Sequence, residues 1–265
     1  MPKETVSPAP SALAAKPHYI VLDGLRGVAA LVVLVYHVFE CFAASPVPHG
    51  YLAVDFFFVL SGFVIGYAYD NRWGTMGVGT FFRRRLVRLH PMVLAGAVVG
   101  AATFLVQGGV RWDGTHMPLA TVAAALALSM LMLPLPASST LDVRGNGEMF
   151  PLNGPAWSLF FEYIGNILYA LLLRRLAVRW LAAIAVVTGV AVVGTAVSEG
   201  QLGVGWTMAG WGFWQGLARM LFPYTVGMLI ARTFRPRRVR GTLWMSVWPS
   251  SPWVPSRRSR AKPCG

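Results

Sequence analysis

Arg26 and His37 interrupt a largely apolar run, residues 21–43, that is long enough to cross a bilayer. A hydrophobic span tends to reject ionisable groups, so those it keeps at membrane depth read by default as functional. On an α-helix the two are about three turns and roughly 16 Å of rise apart, and they fall on nearly the same face. One is placed near a membrane surface and the other near mid-bilayer. The structural alternatives are a flank that snorkels to the headgroups for Arg26 and an interhelical hydrogen bond for His37.

Further apolar runs follow at residues 51–69, 92–106, 118–136, 155–173, 180–197 and 217–231. A chain of 265 residues that is 55% hydrophobic and 12% charged is too apolar for an ordinary soluble domain. It predicts an all-α, polytopic transmembrane helical bundle of about six to seven spans. The net charge of +13 arises from basic loops between apolar spans, which fits the positive-inside pattern rather than nucleic-acid binding, for which no motif is present. Cys41 and Cys264 give neither a disulfide framework nor a metal-site spacing.

Segment 70–90, with Arg72, Arg83, Arg84, Arg85 and Arg88, is expected in the cytosol together with an N-terminal arm carrying Lys3 and Lys16. Pro91 is expected to open the third span, since proline is tolerated in a first helical turn. If 118–136 crossed fully, Arg174, Arg175 and Arg179 would fall outside and reverse the charge rule, so a re-entrant or in-plane element is favoured there. Gly62 and Gly66 have a spacing that permits close helix approach. Residues 1–17 read as a disordered cytosolic arm, and 233–265 as a basic, disordered or interfacial tail.

Several side chains can carry chemistry. An imidazole such as His37 can act as a base or accept an acyl group on nitrogen. Ser158, Glu162, Asn166 and Tyr169 form one polar stripe at helical spacing, which should face the bundle interior. Arg85 and Arg88 are i, i+3 neighbours that either form a cytosolic stop signal attracting anionic lipid or clamp phosphates. Asp55 either stabilises a helix N-terminus or meets a substrate.

The run Leu22-Asp23-Gly24-Leu25-Arg26-Gly27-Val28-Ala29-Ala30 with its Arg-x10-His spacing resembles the first transmembrane helix of the acyltransferase-3 family of membrane acyltransferases. Three further elements in order resemble signatures of that family: Val54-Asp55-Phe56-Phe57-Phe58-Val59-Leu60-Ser61-Gly62-Phe63, Phe81-Phe82-Arg83-Arg84-Arg85-Leu86-Val87-Arg88-Leu89-His90-Pro91 and Trp157-Ser158-Leu159 leading to Glu162. Residues 219–229 also look like a family helix, so the resemblance covers residues 18–232.

The resemblance implies an O-acyltransferase of the bacterial inner membrane with a cytosolic N-terminus. It would move an acyl group, most simply acetyl, from acyl-CoA to a hydroxyl of a carbohydrate or glycolipid, with no bound metal or resident cofactor. His37 would be base or acyl relay, Arg26 would stabilise charge, and Glu162 would assist His37 or the acceptor. Arg85 and Arg88 would hold coenzyme A, and Asp55, Trp157 and Ser158 would contact the acceptor. Family members often continue for several more spans, so a C-terminally truncated, incomplete domain is expected. The rival functions are a membrane transporter or exporter, whose buried charges would form a proton or substrate path, and an inactive fragment that acts only by association.

Overall fold

The computed structural model describes residues 20–39 and 45–234. The arm 1–17, Cys41 and nearly all of the tail 233–265 lie outside them, so the expectations for those segments are not taken further. Seven α-helices make up the described chain: α1 Ile20–Phe39, α2 Ala53–Tyr69, α3 Val78–Val106, α4 Leu119–Met130, α5 Ala156–Leu171, α6 Val178–Glu199 and α7 Gly212–Thr233. Among the described residues there is no β-sheet, only two isolated bridges, Val110 to His116 and Glu148 to Thr207.

Among the described residues, four segments are long and apolar enough to cross a membrane: Val21–Phe39, Gly50–Arg72, Val78–Val106 and Val178–Glu199. That is fewer than the expected six or seven. α5 has 16 residues, roughly 24 Å of helix against a hydrocarbon core of about 30 Å. α7 has 22 residues and sufficient length, but Gln215, Arg219 and Arg232 lower its apolarity. The surface of the candidate spans suits lipid: Val187 is 69% and Val197 80% exposed on α6, which in water would form a large apolar patch.

α4 has 12 residues, about 18 Å, and is too short to cross. It packs Val122 and Ala125 against Phe104 of α3. Trp112 N–H bonds the Arg144 carbonyl at 3.2 Å, so the loops before and after α4 meet and the chain returns to the end of the bundle it left. The segment 118–136 is thus an excursion rather than a full span.

One sequence-based expectation fails. Pro91 lies inside α3, which begins at Val78 and runs unbroken through the proline to Val106. Proline removes the N–H that would bond the Val87 carbonyl, but helices in membrane proteins tolerate this because neighbouring groups can resatisfy the backbone. The arginine cluster is therefore on the same rigid rod as the apolar span.

α7 is the hub, packed along α2 and α6 and also against α5. Its core contacts are Met220, Tyr224 and Met228, which cluster with Phe58, Ile65, Phe161 and Tyr169. The α2–α7 approach depends on glycine. A Cβ at Gly62 would run into the Tyr224 carbonyl, and one at Gly227 into the Val59 carbonyl. The Gly62/Gly66 pair is thus a real contact face. We expect Gly62→Ala to force these helices apart and sharply reduce recovery of monodisperse protein in detergent. Gly79→Ala, on the open face of α3, is expected to gain up to about 1 kcal/mol of helix propensity. Equal recovery of the two variants would refute the close-packing account.

The bundle has two chemically distinct ends. At one, Asp70 accepts from Arg232 Nε at 2.7 Å and from the Tyr169 hydroxyl at 2.7 Å, while Trp73 Nε1 donates to Tyr169 at 3.1 Å. Arg72, Arg83, Arg84, Arg88, Arg174, Arg175 and Arg179 gather at this arginine-rich end. At the other, Met149 N–H bonds the Trp206 carbonyl at 2.9 Å and joins the loop after α4 to the loop before α7.

Candidate active site

α1 passes two cavities. The smaller, about 120 Å³, lies towards the arginine-rich end and is lined by Arg26, Ser61, Arg85, Arg88 and Glu162 with apolar neighbours from α2 and α3. The larger, about 830 Å³, lies towards the other end and is lined by His37, Tyr36, Tyr51, Trp112, Arg144, Glu148, Asn153, Trp157, Gln201, Trp206 and Arg219 among others. Arg26 and His37 are thus separated along α1 as their spacing requires, each facing its own cavity.

In the smaller cavity Glu162 Oε1 accepts from Arg85 Nη2 at 2.7 Å and from Ser61 Oγ at 2.6 Å. Arg85 is 3% exposed, so its guanidinium is turned into the bundle and held by Glu162. Arg88 is exposed and also lines the cavity. Arg26 Nη1 is 3.0 Å from Asp23 Oδ1, one turn earlier on α1. The sequence pattern presents Arg85 and Arg88 as a pair, but the fold gives them different settings, one enclosed and one open.

The polar stripe of α5 is distributed among separate contacts. Ser158 Oγ donates to the Pro155 carbonyl at 2.9 Å, a local bond in the first turn. Glu162 faces the smaller cavity and Tyr169 joins Asp70. Asn166 is 1% exposed, and neither its amide oxygen nor its amide nitrogen has a protein partner. Trp157 lines the larger cavity. The structure therefore places Glu162 and His37 in separate cavities and leaves Ser158 on neither lining.

The wall of the larger cavity is built on an ion pair. Asp55, in the first turn of α2, receives Arg219 Nε at 2.9 Å and Nη2 at 3.1 Å. The same guanidinium donates to the Tyr51 carbonyl at 2.8 Å and the Val204 carbonyl at 3.1 Å, and lies 5.2 Å from the Trp157 ring centroid. It fastens α2, α7 and the 203–208 loop to one another. Asp55 is thus in the helix N-terminal turn, where a carboxylate is favourable, and is also engaged in a long-range pair. His37 packs edge-on to Tyr36 at 5.2 Å, and Tyr36 in turn meets Tyr51 at 5.8 Å.

The rim depends on a buried carboxylate. Asp142, 2% exposed, accepts the N–H groups of Arg144 at 3.2 Å, Gly145 at 2.9 Å and Gly147 at 2.8 Å. Gly145 and Gly147 have φ of +78° and +75°, a region that favours glycine. The tight loop presents Arg144, Asn146 and Glu148 to the cavity. On the neighbouring loop, the Thr115 N–H donates to Asp113 at 2.9 Å and holds that exposed carboxyl below its ordinary range.

Sequence reasoning gave no role to Arg219, Ser61, Tyr51 or Trp112. Arg219 had a readable signal, a cation within an apolar helix. The others are ordinary residues made significant by contacts distant in sequence. Among the described residues no group of three or more His, Cys, Asp or Glu is placed to hold a metal ion.

Comparison with known proteins gives a family match and several relatives. The family pattern described as an acyltransferase domain matches residues 19–253. The chain is 40% identical over 158 residues to protein 2 in the picA locus of Rhizobium radiobacter, covering 57% of this chain and 81% of that protein. A Staphylococcus aureus protein named "putative O-acetyltransferase" is 40% identical over 91 residues, 32% of this chain and 14% of its own length. The acyltransferase MdmB of Streptomyces mycarofaciens is 31% identical over 184 residues, 61% of this chain and 42% of its own length. The chain thus spans most of the first relative and less than half of the other two. No solved structure matches it.

Proposed function

The chain belongs to the acyltransferase-3 family, and from that premise we propose that it is an integral membrane O-acyltransferase that moves acetyl from acetyl-CoA to a carbohydrate hydroxyl. The observation that carries this reading is the pair of cavities along α1, with arginines at one and His37 at the other. In this reading α1, α2, α3, α5, α6 and α7 all cross the membrane. The arginine-rich end faces the cytosol, as basic loops do, and the membrane is a bacterial inner membrane.

The donor enters at the arginine-rich end. Exposed Arg88, with Arg26, attracts the phosphates of coenzyme A, while Arg85 and Ser61 fix the Glu162 carboxylate in the smaller cavity. The acceptor occupies the larger cavity. Flat faces of Trp112, Trp157 and Trp206 and the polar ends of Asn146, Glu148, Asn153 and Gln201 suit a sugar, whose ring carries both C–H and hydroxyl groups. Apolar surface with a few placed polar groups is the usual composition of a small-molecule site.

His37 takes the proton of the attacking hydroxyl. The oxygen bonds to the thioester carbonyl carbon, the carbon–sulfur bond breaks, and the proton is returned to the leaving thiolate. The products are an acetyl ester and free coenzyme A.

Membranes containing the chain, supplied with radiolabelled acetyl-CoA, test the proposal. The expected result is alkali-labile label in a carbohydrate or glycolipid fraction, with equimolar free thiol. Net movement of a solute across sealed vesicles, with no acetyl ester formed, would instead establish a transporter.

A further inference from the structure

On the flank of α6 nearest the arginine-rich end, Leu176, Trp180, Ala183, Ile184, Val187 and Thr188 line an open groove of about 370 Å³. Four of these side chains are aliphatic, and the Thr188 hydroxyl is turned back onto the Ile184 carbonyl at 2.7 Å, so the groove offers little to a polar ligand. From Trp180 to Thr188 the helix rises roughly 12 Å, close to the ~15 Å hydrocarbon depth of one leaflet.

Arg175, just before α6, and Arg179, in its first turn, adjoin the groove residues Leu176 and Trp180 in sequence, and both are exposed. Neither has a carboxylate partner among the described residues. The acids at this end are committed elsewhere, Asp70 to Arg232 and Tyr169, Asp23 to Arg26, and Glu162 to Arg85. Arg174 is also engaged, with its guanidinium 3.9 Å from the Trp73 centroid and its Nε donating to the Ala170 carbonyl. Arg179 is 5.8 Å from the Trp180 ring centroid, and Trp180 is 56% exposed, an arrangement that suits the headgroup boundary where tryptophan is favoured.

We propose that this groove is a binding site for an anionic phospholipid, with one acyl chain along α6 and the phosphate held by Arg175 and Arg179. The two unneutralised guanidiniums select an anion, and the apolar groove beneath them selects one that carries a hydrocarbon chain. The site is separate from both cavities along α1 and needs no acyl transfer to be observed.

The test uses the full chain in nanodiscs of phosphatidylcholine with a minor fraction of phosphatidylglycerol brominated on its acyl chains. Brominated phosphatidylglycerol should quench tryptophan fluorescence more than brominated phosphatidylcholine at the same fraction, and Trp180→Phe should remove the excess. Arg175→Gln with Arg179→Gln should lower the preference for the anionic lipid on the order of tenfold, without changing the elution profile. Equal quenching by the two lipids would overturn the proposal. So would a preference unchanged in the double variant, or a groove covered by a second copy, seen as a dimer that cross-links through residue 183 whatever the lipid.

Discussion

His37→Gln is expected to lower acetyl transfer by about 10²–10⁴-fold, the usual contribution of a positioned general base. Glutamine keeps much of the size and hydrogen-bonding capacity of the imidazole but cannot accept the hydroxyl proton. The side chain is exposed to the larger cavity, so the variant should match the parent in yield and thermal stability. The decisive comparison is single-turnover release of free thiol against formation of acetyl ester. A base has both fall together. If His37 instead carries the acyl group on nitrogen, the parent should release thiol before acceptor is added, and the variant should not. Transfer at an unchanged rate would remove His37 from the mechanism.

Arg219→Ala should be the most destabilising single change in the larger cavity. The guanidinium is 2% exposed and donates to Asp55 and to two backbone carbonyls. Removing one partner of a buried ion pair costs about 3–5 kcal/mol, because the other charge is left uncompensated. Arg219→Lys should recover only part of this, since an ammonium cannot reproduce the planar two-pronged contact with Asp55. Adding Asp55→Asn to Arg219→Ala removes the stranded carboxylate, so the double variant should melt above the single one. Fluorescence-detected size exclusion after heating in detergent measures the series. An Arg219→Ala protein that melts with the parent would refute the structural role given to this pair.

Much of this was readable along the chain because apolar spans and family-like motifs are local signals. The face shared by Arg26 and His37 and the close approach at Gly62 and Gly66 follow from spacing, and the preference for a re-entrant 118–136 followed from the placement of the basic clusters. What was not readable depends on partners far apart in sequence. Ser61 meets Glu162 across 101 residues and Arg219 meets Asp55 across 164, and no periodicity reports such pairs. The start of α3 was misplaced because the turn preference of Pro91 was weighed without the tertiary packing of Phe81, Leu89 and Val93, which are all buried and carry the helix through it. The family resemblance left Glu162 to assist either His37 or the acceptor, and the fold lines different cavities with Glu162 and His37.

The position of α7 has a consequence for biogenesis. This helix follows all the others described, yet it fills the space between α2 and α6 and supplies the arginines that neutralise Asp55 and Asp70. While the ribosome is still delivering it, the earlier segments sit in the membrane with two carboxylates and a strip of bare glycine backbone awaiting their complement. Such an intermediate is a natural substrate for insertion chaperones and membrane-bound proteases. The close packing of α2 and the ion pairs of Asp55 and Asp70 are therefore completed only once α7 is in place, after the motif-bearing helices.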